Sequence, residues 1–266
     1  MTRKAKNAAR PEPAVTVRGL ENRFGANLLH DGLDLDVLPG EVLGVVRSSG
    51  SGKTVLMRSI IGLNRPRAGE VSVLGENLSA LQGRQRKALL ARIGVLFQNG
   101  ALFSGLTVAE NIALVLKLHT GLAPGPIDRL ARQKIDMAGL PQDTAGKMPA
   151  QLSGGMRTRA GLARALALDP EIVFLDEPTA GLDPIGAADF DRLIRELQQS
   201  LGLTVFMVTH DLNSLVAIAD RIAVLVDRKI RVGPLDELLN DPHPWIQAYF
   251  RGPRARAAHD AAGSGH

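Results

Sequence analysis

Between Glu41 and Leu63 the chain reads EVLGVVRSSGSGKTVLMRSIIGL, an apolar run that breaks into glycine and serine and then resumes with helical spacing. Val42, Leu43, Val45 and Val46 are the continuous apolar run of a strand buried on both faces, whereas Leu56, Met57, Ile60, Ile61 and Leu63 recur at the spacing of an amphipathic helix. Three later stretches repeat the buried-strand pattern. IGVLFQNGALF (93–103) predicts a strand ending at Gln98, Ile172–Leu175 predicts one running into Asp176 and Glu177, and LTVFMVTH (203–210) predicts one delivering His210. Upstream, AVTVRGLENRF and LLHDGLDLDVLPGE alternate apolar and polar residues, as antiparallel strands joined near Gly25 do. Residues 69–75 read as a further strand and turn, and 79–92 as a basic helix.

From Thr107 to Met148 the pattern turns helical, with Pro/Gly breaks at 121–126 and 139–141. The chain is therefore expected to be α/β, with an antiparallel β part and an inserted helical subdomain over about 104–165. Ser153, Gly154 and Gly155 open the next helix at Met156, and Asp169-Pro170 closes it.

Composition narrows the class. At 266 residues one large α/β domain is expected, over 13–250, with tails at 1–12 and 251–266. The absence of cysteine removes disulfides and thiolate metal sites and fits a reducing compartment. No apolar stretch reaches the roughly 18 residues of a membrane span, and MTRKAKNAARPEP lacks the apolar segment of a signal peptide. The net charge is +5, but residues 1–10 carry +4 and residues 251–266 carry +2, leaving the body from 11 to 250 at −1. The basicity belongs to the tails, either solvated or attracted to anionic lipid head groups. A near-neutral body with nine scattered aromatics does not build a nucleic-acid surface.

The candidate chemistry clusters at the strand ends. In SSGSGKT the residues Ser49, Gly50, Ser51 and Gly52 can turn backbone N–H groups toward phosphate oxygens at the positive end of the following helix. Lys53 can reach the outer phosphates, and the Thr54 hydroxyl can bind a Mg²⁺ bridging them. The full phosphate-loop pattern begins with glycine, where this chain has Arg47, so the loop entry must be ordinary in backbone conformation or strained. Ser153, Gly154 and Gly155 make a second anion-binding helix start. Adjacent carboxylates leaving a buried strand are costly without a cation or substrate to use them. Asp176 suits Mg²⁺, and Glu177 suits activation of a water for in-line attack. Gln98 either binds a metal-bound water or senses the outermost phosphate, or is a plain loop residue. His210 taken alone is a cap or core residue, and beside the other strand ends it becomes a functional one. Phe24 either stacks on a purine or packs in the strand core.

Together these residues resemble the ATP-binding subunit of an ABC transporter over essentially all of 13–250. RSSGSGKT is similar to Walker A, Gln98 to the Q-loop, LSGGM to the signature, IVFLDE to Walker B with its terminal glutamate, AGLD (180–183) to the D-loop, His210 to the switch histidine and Phe24 to the A-loop aromatic, all in family order. LFQNGALF, LSGGM and DEPTAGLDPI resemble the Mla-type subgroup, which moves phospholipid between the two membranes of Gram-negative bacteria. Arg47 and Met156 depart from the general pattern, the latter as in that subgroup.

The resemblance implies a P-loop NTPase fold, ATP and Mg²⁺, catalytic roles for Glu177, His210 and Gln98, and metal contacts from Thr54, Gln98 and Asp176. It also implies a head-to-tail homodimer sandwiching each ATP between Walker A and the partner copy's LSGGM. An MlaE-like integral-membrane permease and further Mla-type subunits would complete a complex at the cytoplasmic side of the bacterial inner membrane. The competing readings are a soluble ABC ATPase without a permease and a nucleotide-binding regulatory module that has lost hydrolysis.

Overall fold

The computed structural model describes residues 12–25, 27–47 and 52–252. The first two strands, β1 (Val15–Phe24) and β2 (Asn27–Val37), form a hairpin whose turn contains Gly25 at φ +57°, with Phe24 paired to Asn27. The run before the glycine-rich stretch is β3 (Val42–Arg47), and the helix after it is α1 (Lys53–Ile60). The strands β4 (Ala68–Val73) and β5 (Glu76–Asn77) complete an antiparallel sheet in the order β2-β1-β4-β5.

The basic helix α2 (Gly83–Ala91) begins later than residue 79, because the Asn77 carboxamide oxygen accepts from both the amide and the hydroxyl of Ser79, at 3.0 and 2.7 Å. Such a local turn competes with helix formation. The next strand, β6 (Ile93–Leu96), stops short of Gln98, which instead opens a 3-10 turn over Gln98–Gly100.

Two helices follow, α3 (Val108–His119), held by a Thr107–Glu110 capping box, and α4 (Pro124–Met137). Lys134 of α4 is only 2% exposed, and its ammonium is paired with Asp169 beyond the next helix. That helix, α5 (Gly154–Ala165), is capped by the Ser153 hydroxyl. The remaining elements are β7 (Ile172–Asp176), α6 (Pro184–Leu201), β8 (Thr204–Val208), α7 (Leu212–Ile218), β9 (Arg221–Val226), β10 (Lys229–Gly233), α8 (Leu235–Leu239) and α9 (Pro244–Arg251).

A six-stranded sheet runs β10-β9-β3-β8-β7-β6, parallel except for β10. Strand periodicity divides its side chains. Leu43 and Val45 join α1 and the antiparallel sheet on one face, while Val42 and Val46 join α6, α7 and α9 on the other. A third core lies among α3, α4 and α5. Parallel pairing carries Arg47, Asp176 and Val208 to one edge of the sheet, so the polar residues after them converge. No helix among the described residues is long and apolar enough to cross a membrane.

Two glycines fit α5 against the turn after Gln98. A Cβ on Gly161 would lie 2.7 Å from the Gly100 Cα and from a Leu96 methyl, and one on Gly100, at φ +77°, would lie 2.4 Å from the Arg157 carbonyl oxygen. Gly161→Val should therefore cost about 2–3 kcal/mol of stability by overpacking, measured as a lower denaturant midpoint. An unchanged midpoint would mean that the interface has room for a side chain.

Candidate functional site

Lys53 holds the first position of α1, and no side chain among the described residues caps the backbone N–H groups there. Those groups and the helix dipole favour an anion there. The Lys53 ammonium donates to Glu177 Oε1 at 2.9 Å and to the Thr209 carbonyl at 3.1 Å. The Thr54 hydroxyl donates to Asp176 Oδ1 at 3.2 Å. His210 approaches Glu177 Oε2 with its amide at 3.2 Å and with Nδ1 at 2.6 Å. Lys53, Thr54, Asp176, Glu177 and His210 are thus one hydrogen-bonded cluster assembled from three strand ends.

Backbone strain helps aim the central carboxylate. Glu177 sits at φ +50°, in the left-handed region, with its amide donating to the Val208 carbonyl at 2.8 Å and its carbonyl accepting from Ala180 at 3.2 Å. Such a conformation costs a non-glycine residue about 1–3 kcal/mol and persists because β8 and the turn that follows Glu177 both bond to its backbone. It turns the chain away from β7 and lets the side chain meet Lys53 and His210.

The donor set also fits a divalent cation. Asp176 is 5% exposed. Burial raises its carboxyl above the ordinary range, opposed first by the Thr54 hydroxyl, while the Glu177 charge raises it further. A carboxyl buried at a strand end beside a hydroxyl and a second acid, with only the more distant charges of Arg58 and Lys53 to offset them, would be stabilised further by a divalent cation. Gln98 stands exposed at the edge next to β7, at the head of its 3-10 turn. None of the cluster's hydrogen bonds reaches Ser153, Gly154 or Gly155, which open α5 beside Gly181 and Leu182. Ser49, Gly50, Ser51 and the ring of Phe24 lie outside what the structure describes.

Two contributors escaped the sequence reading. The Thr209 carbonyl binds Lys53, and no side-chain pattern announces a carbonyl. Tyr249, the chain's one tyrosine, donates from α9 to the His210 carbonyl at 3.2 Å. Its ring stacks on Trp245 at 4.8 Å. A lone tyrosine on an amphipathic C-terminal helix was the available signal.

Arg47 closes β3 with its backbone in an ordinary strand pairing opposite Leu225, so the main chain there does not call on glycine's freedom. Arg47→Gly should change ATP affinity by less than about tenfold, roughly 1.4 kcal/mol, in nucleotide titrations of parent and variant. A larger change in either direction would give the guanidinium, or a glycine, a part in phosphate binding.

Comparison with known proteins gives the same picture. A family model described as ABC transporter matches residues 30–180. The chain is 35% identical over 239 residues to the intermembrane phospholipid transport system ATP-binding protein MlaF of Haemophilus influenzae, covering 90% of each chain. It is 36% identical over 242 residues to the probable ribonucleotide transport ATP-binding protein mkl of Mycobacterium leprae, covering 91% of this chain and 70% of that one. A dimeric, post-hydrolysis structure of the ATP-binding cassette MJ0796 with ADP and Pi matches at a TM-score of 0.75 and 29% identity, covering 83% of this chain and 98% of the other. The chain belongs to the ABC transporter family, as an ATP-binding subunit with ATPase activity.

Proposed function

We propose that this subunit powers phospholipid transport between bacterial membranes, working as a homodimer on an integral-membrane permease of the MlaE type at the cytoplasmic side of the inner membrane. The observation that carries the hydrolytic part is the convergence of Lys53, Thr54, Asp176, Glu177 and His210 at one sheet edge. In this reading the phosphates of ATP meet the first turn of α1, and Lys53 leaves Glu177 to pair with them. Thr54, Asp176 and Gln98 would hold Mg²⁺, whose chemistry is to neutralise charge on the transferring phosphoryl group. Glu177, once free of Lys53, orients a water and takes its proton, while His210 keeps the carboxylate aimed.

Ser153, Gly154 and Gly155 lie outside the cluster's hydrogen bonds and present a separate helix N-terminus. They act on the ATP of a second copy, which makes each site composite under two-fold symmetry. The phospholipid cargo is supported by the runs LFQNGALF, LSGGM and DEPTAGLDPI and by the relative named for phospholipid transport.

Affinity purification from detergent-solubilised membranes tests this reading. The chain should bring down an integral-membrane protein carrying bound phospholipid, and phospholipid vesicles should raise the ATPase rate of the complex. Purification without a membrane protein would favour a soluble ATPase. Stimulation by uridine monophosphate in place of lipid would reassign the cargo to ribonucleotides.

A further inference from the structure

Behind the reacting end, α6 and α7 line a cleft of about 840 Å³ that includes Asp191 of α6. Asp191 is 4% exposed, and its Oδ1 is buried without a hydrogen-bond partner among the described residues. The Ser214 hydroxyl of α7 is within reach of this carboxyl, but no hydrogen bond is closed between them in the structure. That hydroxyl is shared, because Ser214 Oγ donates to Asp211 Oδ2 at 3.3 Å and lies 3.4 Å from Thr179 Oγ1. These neighbours belong to the segments that carry the chemistry. Asp211 follows His210 directly and caps α7 by accepting from the Asn213 amide at 3.0 Å, and Thr179 lies two residues beyond Glu177.

A serine hydroxyl has one proton to give. If Asp191 and Asp211 are both ionised, two carboxylates compete for it at the first turn of α7. If Asp191 is neutral, it can donate to Ser214, which donates in turn to Asp211, and each donor has an acceptor. We propose that Asp191 is a positioning residue for His210: its neutral form completes the chain Asp191 to Ser214 to Asp211 that fixes the start of α7, and its ionisation slackens that chain.

The surroundings favour the neutral form under ordinary conditions. Burial, with the Asp211 charge adding to it, pushes the Asp191 carboxyl up to about 7, against the pull of the nearby Ser214 hydroxyl. The cations of the cleft are engaged elsewhere, Arg192 with Asp189 and Glu196, and Arg195 with Asp220. His210 faces Glu177, and Tyr249 of α9 reaches the His210 carbonyl.

Asp191→Asn is the test, since the carboxamide keeps the shape and a donor but cannot ionise. ATPase rates of parent and variant are compared from pH 6 to pH 8, as a ratio that cancels titration common to both. The ratio of variant to parent should be near one at pH 6 and rise through pH 7 to about three- to tenfold, the size of one well-placed hydrogen bond. Thermal stability gives a second reading. The folded state binds this proton more tightly than the unfolded state, so the parent should lose stability as pH rises from about 4 to 7 and level off above, and the variant should lack that contribution.

A rate ratio that stays flat or falls with pH would overturn the proposal. Should Asp191→Asn not fold, Ser214→Ala must lose the same pH step, and its retention would be equally fatal. The inference rests on the placing of Glu177 and His210 at the reacting end, and the two fail differently. If that placing is wrong, Glu177→Gln stays active, whereas if only this inference is wrong, Glu177→Gln is inactive and Asp191→Asn follows the parent at every pH.

Discussion

Glu177→Gln should leave ATP bound and almost unhydrolysed, with turnover reduced by about 10² to 10⁴, the usual contribution of a positioned general base. The amide cannot accept the water's proton, so the barrier should rise by about 3–5 kcal/mol. Nucleotide binding should survive for a reason visible in the structure. The Glu177 carboxylate competes with phosphate for Lys53, which it holds at 2.9 Å. An amide is a weaker competitor, so Lys53 becomes more available and ATP affinity should be retained or tightened. The bound dimer should then persist, because the step that separates it is blocked. Steady-state phosphate release, nucleotide titration and size-exclusion chromatography in ATP check the three parts. Near-normal turnover would remove Glu177 from the role assigned to it.

Lys53→Ala should fail at the earlier stage. The ammonium joins Glu177 to the Thr209 carbonyl and stands at the anion-favouring end of α1. Deleting it removes a charge-assisted contact of about 1.5–3 kcal/mol, so ATP should bind roughly ten- to a hundredfold more weakly. The two variants are opposites in a titration, one holding nucleotide without turning it over and the other scarcely holding it. An unchanged ATP affinity for Lys53→Ala would mean that the backbone N–H groups alone carry the phosphates.

Much of this site was legible because buried parallel strands write their pattern plainly. The apolar runs ending at Val46, Leu175 and Val208 predicted which residues would share an edge, and Lys53, Thr54, Asp176, Glu177 and His210 meet there in hydrogen bonds, while Gln98 and Ser153 stay outside them. Boundaries were less legible where side chains and backbone compete. Asn77 captures Ser79 and delays α2, and β6 ends two residues before Gln98, where Asn99 and Ala101 adopt left-handed conformations with φ of 57° and 44°. A hydrophobic pattern carries no record of such torsions. Nor does it record long-range contacts made by few atoms, such as the Tyr249 hydroxyl on His210 or the Thr179 hydroxyl beside Ser214.

The pairing of Gly161 with Gly100 limits how α5 can travel. Leu162 and Leu166 face the core of the parallel sheet, Ala160 and Ala163 face the core of α3 and α4, and Gly161 seats on the turn after Gln98. Each flank of the helix is therefore matched to a different neighbour. Rolling α5 about its own axis by one residue, about 100°, would put each of them against the wrong surface. Tilting is cheaper, because Gly161 and Gly100 offer backbone to backbone with no side chains to interlock. Ser153 lies eight residues from that pivot, a lever arm of about 12 Å, so a tilt of about 15° would carry the helix N-terminus roughly 3 Å while the contact behind Gln98 stayed in place.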